Sequence, residues 1–257
     1  MITWSKALVS LLCIVLFLNV KAGDIDDIKN VLKKKNYSSL KNQLGKISKN
    51  KNRNSYYPID RELVSGFLET KIKYEESYPD KDNPSVSTVV TYYLHILRNN
   101  DKIFYYKLID YRHSNAPKNV LYYKDKTVYN SLEKLFKTTF QSTIDSNHLF
   151  TADSQDITYG SHCGIVGRDP EYRVKLDKAV LAKDTSLLKK WVSSTYVELQ
   201  VYGVDGFYQL KQKGLAPSPK VLKMIEAIKH KKGEIITCSG CMYFDQEIVD
   251  VTQNFKF

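Results

Sequence analysis

The chain has 257 residues, of which 42% are hydrophobic and 26% are charged, a composition that is typical of a globular protein and excludes a disordered chain. Its formal net charge is +11, but the basic residues are mostly lysines spread along the whole chain. This distribution is typical of a solvated surface, so the charge excess does not predict a nucleic-acid partner.

The first 22 residues have the pattern of a secretory signal peptide. Lys6 supplies the positive charge, Ala7 to Val20 is nearly all apolar, and Ala22 is a small residue at the expected cleavage position. The apolar run is shorter than the roughly 20 residues that a transmembrane helix needs. Cys13 lies inside the run and is expected to leave with the leader. We therefore predict an exported protein, periplasmic or extracellular, with no transmembrane segment after cleavage.

Residues 23–156 are predicted to form an α+β domain that begins with a short helical hairpin. Apolar residues at helical spacing predict its two helices around residues 25–32 and 40–47. Lys49 to Ser55 contains no apolar residue and is predicted to be a loop. Since it is the densest basic cluster in the chain, it is the expected site for any polyanionic ligand.

The pattern then changes to the alternation of β-strands, and we expect an antiparallel meander. The predicted strands and turns are Leu63 to Tyr74, a turn at Pro79 to Pro84, Val86 to Ile96, a turn at Arg98 to Asp101, Ile103 to Tyr111, and two short strands, 120–123 and 127–129, around a turn at 124–126. Asn130 and Glu133 have the spacing of a capping box, which predicts a helix that packs on the sheet. The polar stretch from Asp145 to Asp156 is the predicted connection to the C-terminal half.

Tyrosine is frequent in these strands, and four Tyr-Tyr pairs occur, at 56-57, 92-93, 105-106 and 122-123. A pair within a strand places one ring on each face of the sheet. An exposed aromatic face could stack on sugar rings, whereas tyrosine also suits ordinary half-buried strands.

Residues 157–257 are predicted to be an all-α unit. Apolar spacing predicts helices near residues 176–180, 187–192 and 199–210, and a helix that starts at Ser218-Pro219 and ends at Gly233. Thr195 and Glu198 form a second predicted capping box. Gly203 and Gly206 weaken a helix by about 1 kcal/mol each relative to alanine, so a neighbouring helix is expected to approach closely there.

The stretch from Val197 to Leu210, preceded by a short Leu-Leu-Trp helix and a Ser-Ser-Thr turn, resembles the second helix of a HEAT-type repeat. The resemblance places small residues at Gly203 and Gly206 and covers essentially one repeat, within residues 171–232. HEAT-like proteins are typically helical scaffolds for protein contacts, so the resemblance implies a binding role.

Three cysteines remain after the leader: Cys163, Cys238 and Cys241. They allow one internal disulfide and leave one thiol unpaired. A bond from Cys163 to Cys238 or Cys241 would close the helical unit at its two ends. A local bond between Cys238 and Cys241 is the third pairing, and the sequence does not choose among them.

The same residues suggest two kinds of chemistry. His162, Cys163, Cys238 and Cys241 have ligand types that tetrahedral zinc accepts. Alternatively, Cys163 is a nucleophile with a histidine base, for which the candidates are His95, His113 and His148. Redox chemistry at the Cys-Ser-Gly-Cys motif is disfavoured because only a short segment follows it.

No P-loop, dinucleotide fingerprint or hydrolase motif occurs, and no cofactor is expected. We therefore predict a non-catalytic interaction or binding module of the cell envelope or extracellular space, with another envelope protein or an anionic glycan as partner. The alternative is a cysteine- or zinc-dependent enzyme that uses His162, Cys163, Cys238 and Cys241.

Overall fold

The computed structural model describes residues 24–48, 54–79, 83, 85–111, 118–145, 157–164 and 166–257, without the side chains of residues 54–57, 79 and 119. The N-terminal half contains α1 (Asp24–Leu32), α2 (Tyr37–Ser48), β1 (Asn54–Val64), β2 (Phe67–Pro79), β3 (Ser87–Asn99), β4 (Lys102–Asp110), β5 (Lys118–Lys124) and α3 (Lys126–Phe140). The C-terminal half contains β6 (Tyr159–Cys163), α4 (Glu171–Ala182), α5 (Thr185–Val192), α6 (Val197–Gln212), α7 (Pro219–Lys229), β7 (Glu234–Gly240), β8 (Met242–Glu247) and α8 (Ile248–Thr252). The predicted signal peptide, residues 49–53 of the basic loop and residues 146–156 of the connection lie outside the described residues.

The predicted antiparallel meander is confirmed, as a five-stranded sheet in the order β1-β2-β3-β4-β5. Several boundaries differ from the prediction, including both ends of β1. The predicted strand from Leu63 to Tyr74 contains a hairpin turn at Ser65-Gly66, where Gly66 has φ +79°, a conformation that glycine adopts without steric cost. The predicted loop ends earlier than expected, because Asn54 and Ser55 already belong to β1.

Helix α3 begins four residues before the predicted capping box. Asp125 is its N-cap, and its carboxylate accepts hydrogen bonds from the backbone N–H groups of Thr127 and Val128. Residues 127–129, predicted as a strand, therefore form the first turn of α3. Asp is a strong N-cap residue, and here it outweighs the alternating pattern that suggested a strand.

The two faces of the five-stranded sheet contact different helices. Apolar residues of α1 and α2, including Leu32 and Leu40, pack on one face with Ile96 and Leu108. The other face joins a larger cluster in which Leu97 and Tyr105 lie with residues of α3 and of the C-terminal helices. One hydrophobic core thus contains residues from both sides of the predicted domain boundary.

Helix α6 is the centre of the C-terminal half, because residues around its whole circumference are buried from Val197 to Phe207. The predicted close approach at its glycines is confirmed. A Cβ on Gly203 would lie 2.8 Å from the backbone nitrogen of Val192, and one on Gly206 would lie 2.4 Å from a methyl carbon of Leu188. The absence of side chains at both positions therefore lets helix α5 pack closely against α6.

The prediction that residues 157–257 are all α-helical is wrong. Strands β6, β7 and β8 form a second sheet, in which β6 is parallel and β8 antiparallel to β7. The segment that follows α7 contains Ile235, Ile236 and Thr237, which are β-branched residues that favour strands. The described helices include none with the length and apolar character that a membrane crossing requires.

Candidate functional site

A disulfide joins Cys163, at the end of β6, to Cys238 on β7, with a Cα–Cα distance of 5.6 Å. The pairing that the sequence left open is therefore the one that links residues 75 positions apart. Strands β6 and β7 pack closely beside this bond. Gly160 lies opposite Cys238, and a Cβ on Gly160 would come within 2.7 Å of the Cys238 sulfur. Cys241 is exposed and carries a free thiol.

Polar contacts attach β6 to helix α6 beside the disulfide. The Tyr159 hydroxyl donates to a carboxylate oxygen of Asp205 over 3.0 Å, and the Arg173 guanidinium donates to the same oxygen over 3.0 Å. The Tyr202 hydroxyl donates to the carbonyl oxygen of Thr158 over 2.8 Å. Burial raises the pKa of Tyr202 to about 12 and also raises the pKa of Tyr159. Both phenols therefore remain neutral hydrogen-bond donors at ordinary pH.

The four residues of the predicted zinc or enzyme site do not form one centre in this structure. Cys163 and Cys238 are bonded to each other, so neither is a thiolate. His162 is exposed on a strained backbone with φ +54°, and its ring contacts Asp169. Among the residues that the structure describes, no three His, Cys, Asp or Glu side chains are placed to share a metal ion. Of the three candidate bases, the structure describes only His95, which lies on β3 beside Glu69.

A cleft of about 980 Å³ separates the two sheets beside the disulfide. Near the cleft, β1 contacts the start of β7. Arg61 and Gly233 form an isolated antiparallel bridge there, and Glu62 N–H donates to the carbonyl of Lys232 over 2.8 Å. Gly233 has φ +95°, and a Cβ would come within 2.3 Å of the Asp60 carbonyl oxygen. Beyond this point β6, rather than β1, pairs with β7.

The cleft has apolar and charged walls. Apolar contacts come from Pro58 and Ile59 of β1 and from Ile236, Tyr243 and Phe244 of β7 and β8, with the disulfide at one side. Charged side chains of both signs complete it: Lys73, Glu75, Arg168, Glu171 and Asp245. Lys73 and Glu75 already pair with each other over 2.7 Å. The lining therefore has no basic excess, and a polyanion gains little attraction from it.

A buried group of charges lies where the five-stranded sheet meets helix α6. The Arg61 guanidinium donates to Glu69 over 3.0 Å and also to Glu198, and all three side chains are at most 1% exposed. Burial alone would lower the pKa of Arg61, but the two carboxylates raise it above its ordinary value. The guanidinium is thus a permanent cation between two buried carboxylates. One oxygen of Glu198, Oε2, is buried without a hydrogen-bond partner among the described residues.

Three further basic side chains surround this group. His95 lies 2.7 Å from Glu69, and Lys71 lies 3.5 Å from the same carboxylate. Burial lowers the pKa of Lys71 to about 8, although Glu69 opposes the shift. Lys231 donates to the Leu63 carbonyl oxygen, and burial lowers its pKa to about 7, with the nearby Arg61 charge acting in the same direction. The described residues thus give both carboxylates basic neighbours.

The tyrosine-rich sheet suggested by the sequence is partly a packing surface. The rings of Tyr74, Tyr92 and Tyr105 are buried, whereas the ring of Tyr122 is exposed and contacts Tyr105 edge-on. Lys71, His95, Lys107 and Tyr122 occupy one cross-strand row, on the face opposite to α1 and α2. Glu69 offsets part of the positive charge of this row.

Arg61, Glu69, Glu198 and Lys231 were not recognised from the sequence. Glu198 was predicted to cap α6, but the N-cap is Tyr196, which makes no side-chain capping hydrogen bond. The Glu198 carboxylate instead accepts a hydrogen bond from the buried Arg61. The hydroxyl of Thr195, the other residue of the predicted capping box, accepts one from the Asp145 N–H. The sequence signals for this group are weak: Arg61 precedes the predicted first strand, Glu69 lies within that strand, and Glu198 occupies a predicted capping position.

Comparison of the chain with known protein families, with curated proteins and with solved structures finds no match.

Proposed function

We propose that the protein is an exported, non-catalytic module that binds a polypeptide partner of the cell envelope or extracellular space in the cleft between its two sheets. The observation that carries this proposal is the lining of the cleft, which combines apolar side chains with charges of both signs. Such a lining matches a polypeptide segment better than a polyanion or a small apolar ligand.

Two further features support the proposal. A disulfide is typical of proteins in oxidising compartments, in agreement with the predicted secretory leader. The HEAT-like resemblance of residues 171–232 also favours a role in protein contacts. With Cys163 bonded to Cys238, the enzyme alternative lacks the thiolate that it needs.

Site-specific photo-crosslinking tests the proposal in the cells that export the protein. A photoreactive residue in place of Ile59 or Ile236 lies in the cleft, whereas one in place of Leu181, 82% exposed on α4, provides the control. We expect the same partner adduct from both cleft positions and none from the control. Adducts that are identical at all three positions, or absent from the cleft, would contradict a cleft-bound partner.

An anionic glycan is the second candidate, supported by the lysine and tyrosine side chains of the row at Lys107 and Tyr122. It predicts salt-sensitive retention on heparin that the change Lys107→Gln weakens. Retention that is unchanged by Lys107→Gln would assign any heparin binding to the general basic surface.

A further inference from the structure

The outer strand of the small sheet is exposed along its whole length. All six residues of β8 are exposed, including three consecutive large side chains: Met242 at 61%, Tyr243 at 59% and Phe244 at 38%. Within the described part of the chain, β8 forms a ladder with β7 alone. An apolar strand with an unpaired edge is a surface on which another strand readily adds.

The backbone pattern shows which groups of β8 point outward. Just after the strand, Ile248 N–H donates to the Gly233 carbonyl over 2.9 Å. In an antiparallel ladder the hydrogen-bonded residues alternate, so Met242, Phe244 and Gln246 bond to β7. The N–H and C=O groups of Tyr243, Asp245 and Glu247 therefore point away from β7 and form the available edge.

We propose that β8 pairs with β8 of a second copy of this chain, antiparallel and with the two Phe244 residues facing each other at the two-fold axis. The pairing would join two three-stranded sheets into one of six strands and bond the outward groups of both edges. Isologous pairing about a two-fold axis is the commonest arrangement of homodimers.

The side chains select this register. With Phe244 at the axis, Tyr243 faces Asp245 of the second copy and Met242 faces Gln246, so no like charges are opposed. Moving the axis to Asp245 would place two carboxylates directly opposite each other, which is unfavourable. Moving it to Tyr243 would shorten the ladder, because the chain turns at Gly240 and Cys241. Only the Phe244 register pairs the strand fully without opposing charges.

The dimer also affects the cleft. A two-fold axis perpendicular to the sheet leaves its faces unchanged, so both clefts open on the same side. Tyr243 and Asp245 line the cleft, and each would face the other residue from the second copy at the cleft rim. The second copy therefore contributes residues to the edge of each site.

Disulfide trapping tests both the dimer and its register. In a Cys241→Ser background, the change Phe244→Cys places two thiols on residues whose Cα atoms are about 4.5 Å apart in a non-hydrogen-bonded pair, within the range that a disulfide spans. The matched control is Asp245→Cys, whose copies would be diagonal neighbours about 7–8 Å apart, beyond that range. We expect a covalent dimer from the first variant and only monomer from the second.

Sedimentation of the unmodified protein provides the second test. We expect a dimer that dissociates on dilution and that Asp245→Pro abolishes, because proline removes an outward N–H and leaves the bonds to β7 intact. Leu181→Lys, which changes an exposed apolar residue elsewhere, should leave the dimer unchanged. A protein that is monomeric at every concentration, or one that crosslinks through residue 245 and not through residue 244, overturns the proposal.

Discussion

The two sheets of this protein are stabilised in different ways. The five-stranded sheet has apolar clusters against both faces, and its central strands β3 and β4 are largely buried. The three-stranded sheet contributes few buried apolar residues, mainly Ile235 and Cys238, and its strand β8 is exposed throughout. A disulfide and the Tyr159–Asp205 contact hold it in place instead. In the small sheet, covalent and polar links thus replace part of the hydrophobic core that stabilises the large one.

The buried charges at Arg61, Glu69 and Glu198 connect these two regions, because they join the large sheet to the helix on which the small sheet rests. Such groups add little stability when complete but are costly when broken. Their removal therefore offers the most sensitive way to separate the two modes of stabilisation.

The largest expected effect is that of Arg61→Ala. It leaves two buried carboxylates without their main cation, so we expect the free energy of unfolding to fall by about 3–5 kcal/mol in urea titration. Lys175→Ala, which removes an exposed ion pair with Glu171, should leave that free energy unchanged. A similar small effect for both changes would mean that Arg61 does not hold the halves together.

The next largest loss of stability is expected from the double change Cys163→Ser and Cys238→Ser. Loss of this long-range crosslink should lower the free energy of unfolding by about 2–4 kcal/mol, with earlier amide exchange in β6 and β7 than in the large sheet. Cys241→Ser is the control and should have no effect. The mature protein should also contain one alkylatable thiol before reduction. Three alkylatable thiols would show that the disulfide is absent in solution.

A smaller loss is expected from Gly206→Ala. The new methyl group would meet Leu188 and Leu176, whose side chains can shift, so we expect a loss of about 1–3 kcal/mol from overpacking. Gly45→Ala in α2 is the matched control, because its Cβ would meet open space and alanine favours helices. If both changes stabilise the protein, α5 does not pack as closely on α6 as described.

Per pH unit, the smallest effect comes from Lys231, which makes the free energy of unfolding depend on pH. Its folded pKa of about 7 lies below its ordinary value of 10.5, so the unfolded chain binds more protons between these values. Stability should therefore rise with pH across this range, by at most about 1.4 kcal/mol per pH unit from this group. Lys231→Met should flatten the slope, whereas the exposed neighbour Lys232→Met should not. An unchanged slope in Lys231→Met would show that this lysine is not buried as a neutral amine.

Local signals in the sequence predicted much of the architecture. The helix starting at Ser218-Pro219 begins as predicted, with the Ser218 side chain accepting from the Val221 N–H. The turn near Asn100 forms between β3 and β4, with Asn100 at φ +50°. Turns and caps depend on a few adjacent residues, which explains why they could be predicted.

Errors arose where distant residues decided the outcome. Gly233 was expected to end a helix, but α7 already ends at Lys229, and Gly233 instead allows β1 to approach β7. Glu198 had the spacing of a cap but found a buried arginine 137 positions away. No local pattern distinguishes these roles, since each depends on a partner that only the folded chain brings near.

By itself, the sequence determined the antiparallel meander, the helical face of α6 and the presence of cysteines able to crosslink the C-terminal half, because periodicity and residue type encode these directly. Only the tertiary structure decided that Cys163 pairs with Cys238, that a second sheet forms and that a cleft separates the two sheets. These outcomes depend on contacts between segments far apart in the chain, whose free energy is gained only when the whole core assembles.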